Sequence, residues 1–297
     1  MVRSRTLGAR IADMLIVGSL LVLTLLTLAP VVHTIAESLS NGAAAAANAV
    51  SFWPIRFTWS SYTALFNGGG FFRAFGISVE RVVLNGVLSF FLTILMAYPL
   101  SQSPRNFPAR RYYIWVVVFT MLFNGGLIPW YVTIAHLGLI NTIWALVLPG
   151  AVPAFNVVLL MNYFRSLPKE LDEAARLDGA SPWYICWKIY VPLSWPALAT
   201  VTLFAIVTQW NSFFDGFILI NNPHNYPLMT FIQQLVVETQ SANLSILTPT
   251  QIAELSRTSG PSLNAAKFMI GMIPMLAIYP FLQRYFIHGI RLGSTNE

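Results

Sequence analysis

The chain has 297 residues, a net charge of +6, 56% hydrophobic residues and only 9% charged residues, where a soluble globular chain carries about 25% charged residues. That shortfall excludes water as the main solvent, and composition also excludes disorder, collagen and a disulfide scaffold, since the single cysteine, Cys186, has no internal partner. The Lys and Arg residues are dispersed among apolar runs, a pattern that fits the positive-inside rule better than a nucleic-acid surface.

A helix of about 20 residues crosses the roughly 30 Å hydrocarbon core, and six segments are expected to do so. Span one, Met14–Ala36, follows Arg3, Arg5 and Arg10. Its apolar run exceeds the signal-peptide core of about 7–15 residues, so it is expected to be a retained helix. An outer segment, 37–73, carries the Ala43–Ala47 run, Trp53, Trp59 and Gly68 to Gly70. Spans two, three and four are predicted at Ala74–Leu100, Tyr112–Ala135 and Leu139–Tyr163. Span five, Val191–Ile220, is more polar, with Gln209, Asn211 and Asp215. A second outer segment, 221–263, holds Leu228, Phe231, Ile232 and Leu235, whose i, i+3, i+4, i+7 spacing predicts a short amphipathic helix. This helix either lies on the membrane interface or docks an outside partner. Span six is Ala265–His288.

Six spans place both termini on one side. That side holds twelve Lys and Arg residues, among them Arg105, Arg110, Arg111, Arg284 and Arg291, against Arg56, Arg73 and Arg257 on the other. The bias predicts cytoplasmic termini, and it supports the polar span five, which a five-span topology would omit.

The segment between spans four and five, 165–192, is the most informative. Pro168 suits a first helical position, and Glu170 and Asp172 suit the positive end of the helix dipole. Lys169–Glu173 and Asp172–Arg176 are i,i+4 pairs, and Leu167, Leu171, Ala174 and Ala175 form an apolar stripe. Gly179 can take a positive φ and end this helix, and Ser181 can cap a second one starting at Pro182. The prediction is helix, sharp turn, helix on the cytoplasmic face. A solvated connecting loop would account for the charges but not for two capped helices around one glycine.

Glu173-Ala174-Ala175, Gly179 four residues on, then Ile189 and Val191-Pro192 resemble the EAA motif of the permease subunits of bacterial ABC importers. Leu-Pro is usual in the family where Val191-Pro192 stands here. Trp210-Asn211 with Phe213 and Phe214 resembles the fifth span of the carbohydrate-uptake branch. The ending, Gln283-Arg284-Tyr285-Phe286 with Gly289-Ile290 and Gly293-Ser294, resembles the oligosaccharide group, which includes permeases for aldouronate and alginate fragments. The resemblance implies an all-α membrane protein of the type I ABC importer permease fold, with six transmembrane helices. It implies a coupling helix between helices 4 and 5, with Glu173, Ala174, Ala175, Asp178, Gly179 and Ala180 facing the ATPase. It also implies a bacterial inner-membrane location, a permease core at 70–288 after an N-terminal region 1–69, and a tail at 289–297. The implied partners are a second homologous permease, a cytoplasmic ATPase dimer that binds the ATP and Mg, an extracytoplasmic solute-binding protein and an oligosaccharide.

No G-x-x-x-x-G-K-[ST] loop, no Cys/His cluster at metal-ligand spacing and no G-x-S-x-G elbow occurs, so no catalysis, cofactor or metal is expected of this chain. Intramembrane polar residues are candidate functional groups. Gln209, Trp210, Asn211 and Asp215 are the candidate substrate path, with Asn211 and Asp215 expected on one helical face and an aromatic stacking on pyranose rings. Helix–helix hydrogen bonding at a subunit interface is the other reading of the same residues. Glu80 and Arg81 are expected as interfacial anchors, while Asn85 and Gln102 gain no role. Arg56, Arg73, Arg257 and Lys267 near the outer side would attract uronate carboxylates. A secondary transporter or channel acting alone would need ion-coupling groups and usually internal repeats, and Asp215 alone is thin support for one.

Overall fold

The computed structural model describes residues 7–67, 70–241 and 260–293, and all the regular structure in them is helical. Arg3, Arg5, Arg257 and the stretch 242–259 of the second outer segment lie outside the described residues. The chain packs as two units, Met1–Gly69 with Gln234–Ile273, and Gly70–Gln233 with Pro274–Glu297.

In the first unit, span one is the helix Leu7–Ser38, whose residues 10–38 are long and apolar enough to cross a bilayer. Met14, Leu15, Leu20 and Leu26 are exposed, as lipid-facing side chains must be. The helix foot is held by short polar links. Ser40 Oγ donates to Ala36 O (2.6 Å) and accepts from Ile55 N (3.0 Å). Ser262 Oγ donates to Ser40 O (2.8 Å) and shares a hydrogen bond with Ser61 Oγ (2.8 Å).

The second unit holds spans two to five. Span two is one unbroken helix, Phe71–Ser101. Span three departs from the expected single helix: Arg110–Leu122 and Leu127–His136 meet at 115°. Asn124-Gly125-Gly126 makes the bend, with Gly126 at φ +87 and its N–H bonded to Asn124 Oδ1 (2.9 Å). Apolar content over 112–135 conceals a turn that only glycine permits at this cost. Span four is Ile143–Gly150 and Ala154–Ser166, bent by 42° where Pro149 and Pro153 interrupt the hydrogen-bond ladder. Span five starts later than expected, at Trp195, and ends at Asn211, before a separate short helix, Phe214–Leu219. The predicted amphipathic helix is present at Leu228–Ser241, and span six is the helix Pro261–Gly293.

The core of this unit joins Ile94 and Ala97 of span two, Val157, Leu160 and Phe164 of span four, and Leu198 and Val201 of span five. Asn156 Nδ2 donates to Val201 O across the packed spans (2.9 Å), so the buried amide is not left unsatisfied.

Candidate functional site

Two places concentrate polar chemistry: the helix–turn–helix segment after span four and the interior of the second unit around Arg81.

The segment after span four folds as its capping residues dictate. Its first helix is Lys169–Leu177, with Pro168 one position before it, at the cap, rather than inside it. At its end Gly179 has φ +78, Ala180 N–H bonds to Ala175 O (2.9 Å) and Gly179 N–H bonds to Arg176 O (3.0 Å). This pair of bonds is the Schellman termination, which asks for glycine. Ser181 Oγ then accepts from Tyr184 N (3.2 Å) and caps the second helix, Pro182–Leu193. This helix meets span five at 85°. It contains a π stretch, Cys186–Tyr190, in which Val191 N–H reaches back to Cys186 O. The wide turn precedes Pro192, which has no N–H to give to the ladder.

The expected apolar stripe of the first helix divides between two faces. Ala175 and Leu167 do pack on the core, but beside them the inward face carries Asp172, 8% exposed, and Arg176. Leu171 is 43% exposed, Leu177 is 89% exposed and Ala174 also faces outward. Trp183 and Tyr184 continue this apolar exposure at the start of the second helix. Asp172 and Arg176 form a two-bond ion pair, Nε to Oδ2 at 2.9 Å and Nη2 to Oδ1 at 3.3 Å. The hydrogen bond to Asp172 raises the Arg176 pKa above its ordinary value. Among the described residues the expected Lys169–Glu173 pair does not form; both side chains are exposed, where such a pair holds little energy.

Gln102, given no role by the sequence, caps the C-terminal end of span two. Its side-chain oxygen accepts from Arg176 Nη2 (2.9 Å), its carbonyl accepts from Arg110 Nη1, and the neighbouring Leu100 carbonyl accepts from Arg165 Nη2 (2.9 Å). A groove of ≈ 490 Å³ lies here between the span ends and the first coupling helix.

In the membrane interior the centre is Arg81, not a residue of span five. Arg81 is 2% exposed, so it is no interfacial anchor, whereas Glu80 is exposed. Its guanidinium donates through Nε to Gln209 Oε1 (2.8 Å), through Nη1 to Asp215 Oδ1 (3.3 Å), and through Nη2 to Asp215 Oδ2. Nη1 also reaches the Ser212 carbonyl, freed where span five breaks (3.4 Å). Asp215 further accepts from Ser212 Oγ (2.8 Å) and from Gly216 N (3.0 Å). The break at 212–213 means that Asn211 and Asp215 do not share one helical face: Asn211 is exposed and bonds back to Val207 O (2.9 Å). Trp210 is buried edge-on against Phe75 (5.9 Å). The signal for this cluster was present in span two. Ser78, Arg81, Asn85, Ser89 and Thr93 recur at helical spacing and are all buried, a polar stripe inside an apolar helix. Of the outer cations, Arg56 and Arg73 are exposed, but Lys267 is 2% exposed and donates to Asn264 Oδ1 (2.9 Å), so it is no entrance charge.

Apolar helices long enough to cross a bilayer, joined by a capped helix pair that exposes Leu171, Leu177, Trp183 and Tyr184, define the class: a helical membrane protein. The chain belongs to the family described as binding-protein-dependent transport system inner membrane component, which matches residues 68–292. It is thus the membrane component of an importer, with ATP hydrolysis in a separate subunit. Its relatives include the polygalacturonan/rhamnogalacturonan transport system permease protein YtcP of Bacillus subtilis, 35% identical over 97% of this chain and 99% of that one. Protein LplC of Bacillus subtilis is 36% identical over 91% of this chain and 90% of that one. Among solved structures, the chain is similar to one in the crystal structure of a bacterial ABC transporter involved in the import of the acidic polysaccharide alginate. There the TM-score is 0.83 and the identity 29%, over 95% of this chain and 98% of the other.

Proposed function

We propose that this permease imports an acidic oligosaccharide, delivered by an extracytoplasmic binding protein, in a complex with a second permease and a cytoplasmic ATPase dimer. The observation that carries the coupling half is the apolar outer face of the protrusion. Leu171, Leu177, Trp183 and Tyr184 are exposed on a segment held rigid by two caps, and water is a poor partner for such a surface. Of the residues the resemblance assigns to the ATPase, the exposed Glu173, Ala174, Asp178 and Gly179 then form the part that it grips, while Ala175 and Ala180 pack against the core behind them. Closure of the ATPase dimer moves the protrusion and switches the path by rigid-body motion. The positive-inside bias supports cytoplasmic termini.

Substrate chemistry rests on the relatives. One is named for polygalacturonan transport and one solved neighbour for alginate import, and both polymers are acidic. Exposed Arg73 fits an entrance for carboxylates. In the interior, Asn211 is the path-facing member of the set, and Gln209, Trp210 and Asp215 fix the broken helix behind it.

The test is uptake in vesicles holding the whole complex, with trigalacturonate and maltotriose as acidic and neutral probes. ATP-dependent uptake of trigalacturonate at several times the maltotriose rate, weakening with salt, supports the proposal. Equal rates remove the acidic preference. No ATPase co-purifying in mild detergent removes the importer reading altogether.

A further inference from the structure

We infer that Arg176 and Gln102 are positioning residues that carry the motion of the coupling helix into span two, and not only into the spans joined to it by the chain. The inference rests on the importer reading above. By covalent connection the protrusion belongs to spans four and five. By hydrogen bonding it belongs equally to span two, 74 positions away in sequence, through Arg176 Nη2 and Gln102 Oε1 at 2.9 Å.

Three features make this link a transmission point rather than a chance contact. First, the Arg176 guanidinium is aimed in advance: its Nε and one Nη2 hydrogen are held by Asp172, which leaves the second Nη2 hydrogen for Gln102. A planar fork held on one side gives direction that a flexible ammonium does not. Second, Asp172 and Arg176 face inward while apolar Leu171 and Leu177 face out, an orientation with no advantage for a helix that only has to be soluble. Third, the end of span two is fixed from three directions. Arg110 at the start of span three and Arg165 at the end of span four bond the Gln102 and Leu100 carbonyls at its end, and Arg176 of the coupling helix bonds the Gln102 side chain. A displacement of the coupling helix therefore pulls on a span end already clamped to its neighbours. Along that same helix Arg81 holds the break in span five. Span two thus connects the cytoplasmic protrusion to the interior cluster as one rigid rod, since its helix is unbroken from Phe71 to Ser101.

The experiment measures ATP hydrolysed per trigalacturonate imported, in vesicles holding the full complex, together with ATPase pull-down and melting temperature. Gln102→Leu keeps the side-chain bulk and the Asp172–Arg176 pair but removes the acceptor. The expected result is a rise in ATP per sugar of about tenfold, within the range of ordinary coupling energies, at unchanged pull-down and melting. Arg176→Lys is expected to behave in the same way, and Gln102→Glu added to Arg176→Lys restores the ratio to within about threefold, because a carboxylate can hold the ammonium. A wild-type ratio in Gln102→Leu overturns the inference. So does a ratio that changes only in step with lost pull-down or melting, which marks a merely structural bond. Both results leave the importer reading standing, whereas a wild-type complex without ATP-driven uptake overturns that reading and this inference together.

Discussion

The coupling segment and the Arg81 cluster both hold a carboxylate–arginine pair, yet the two pairs are built differently. Asp172 and Arg176 are one helical turn apart, and the pair stands at an aqueous face. Arg81 and Asp215 are 134 positions apart, and the pair stands where water is scarce and a helix is broken. The first pair orients a side chain, and its arginine is 31% exposed, so water reaches the cation that loss of Asp172 would free. The second compensates a charge that nothing else nearby could neutralise, so its loss leaves the other partner buried and unpaired.

That contrast orders the predictions. Arg81→Met is expected to have the largest effect, about 3–5 kcal/mol of stability lost, since it removes at once the buried guanidinium that bonds Gln209, Asp215 and the Ser212 carbonyl. Asp215→Asn should lose less, because the amide keeps an acceptor for the guanidinium, and Arg81→Met with Asp215→Leu should recover part of the loss. Thermal melting in detergent measures all three; additive losses in the double variant would show that the pair is not coupled.

Two glycines sharpen the comparison. At Gly150 the constraint is space: an added Cβ would lie 2.2 Å from Gln209 Nε2, the amide whose oxygen holds Arg81. Gly150→Ala is expected to cost about 1–3 kcal/mol by overpacking and to shift melting. At Gly179 the space is open and the constraint is φ +78. Gly179→Val carries about 1–3 kcal/mol of backbone strain, confined to the protrusion. It should therefore abolish substrate-stimulated ATP hydrolysis while the membrane bundle melts near the wild-type temperature. Equal effects of the two variants on melting would erase the distinction between the regions.

Smaller effects are expected at the second coupling helix. Ser181→Ala removes the cap on Tyr184 N and should cost about 1 kcal/mol, read as faster amide exchange at Trp183 and Tyr184. Cys186, the single thiol, is 2% exposed, and burial pushes its pKa up to about 11. Maleimide labelling at neutral pH is therefore expected to be slow in the folded protein and fast after denaturation. Rapid labelling of the native complex would mean that the helix Pro182–Leu193 opens.

The same contrast explains what could be read from the sequence. Caps, a glycine stop and i,i+4 spacing act within a few residues, so the two coupling helices and their turn were legible within one residue at Pro168. The face they present was not, because an apolar stripe points inward only where the core wants it, and here the core takes the Asp172–Arg176 pair. Of the six expected crossings, spans one, two and six are single helices, while three, four and five are interrupted. Hydropathy averages over turns such as Asn124-Gly125-Gly126 and over the break at 212–213. In the interior, the sequence reads Gln209 and Asp215 as a substrate path or a subunit-interface contact and Arg81 as an interfacial anchor, whereas both residues bond Arg81. Arg81 gives no sign alone; it does so as one of five polar residues on a single face of span two.

The elbow at Ser194 has a mechanical consequence. Pro182–Leu193 meets Trp195–Asn211 at 85°, and Ser194, fully buried, ties the corner through its N–H to the Tyr190 and Val191 carbonyls. At 1.5 Å per residue the cytoplasmic arm is about 18 Å long and the membrane arm about 25 Å. Two stiff arms at a right angle form a bell crank: a thrust on the short arm along the membrane normal emerges as a sideways swing of the long one. The arm ratio of about 1.4 enlarges the stroke, so a 2 Å shove beneath the membrane would displace the far end of span five by roughly 3 Å.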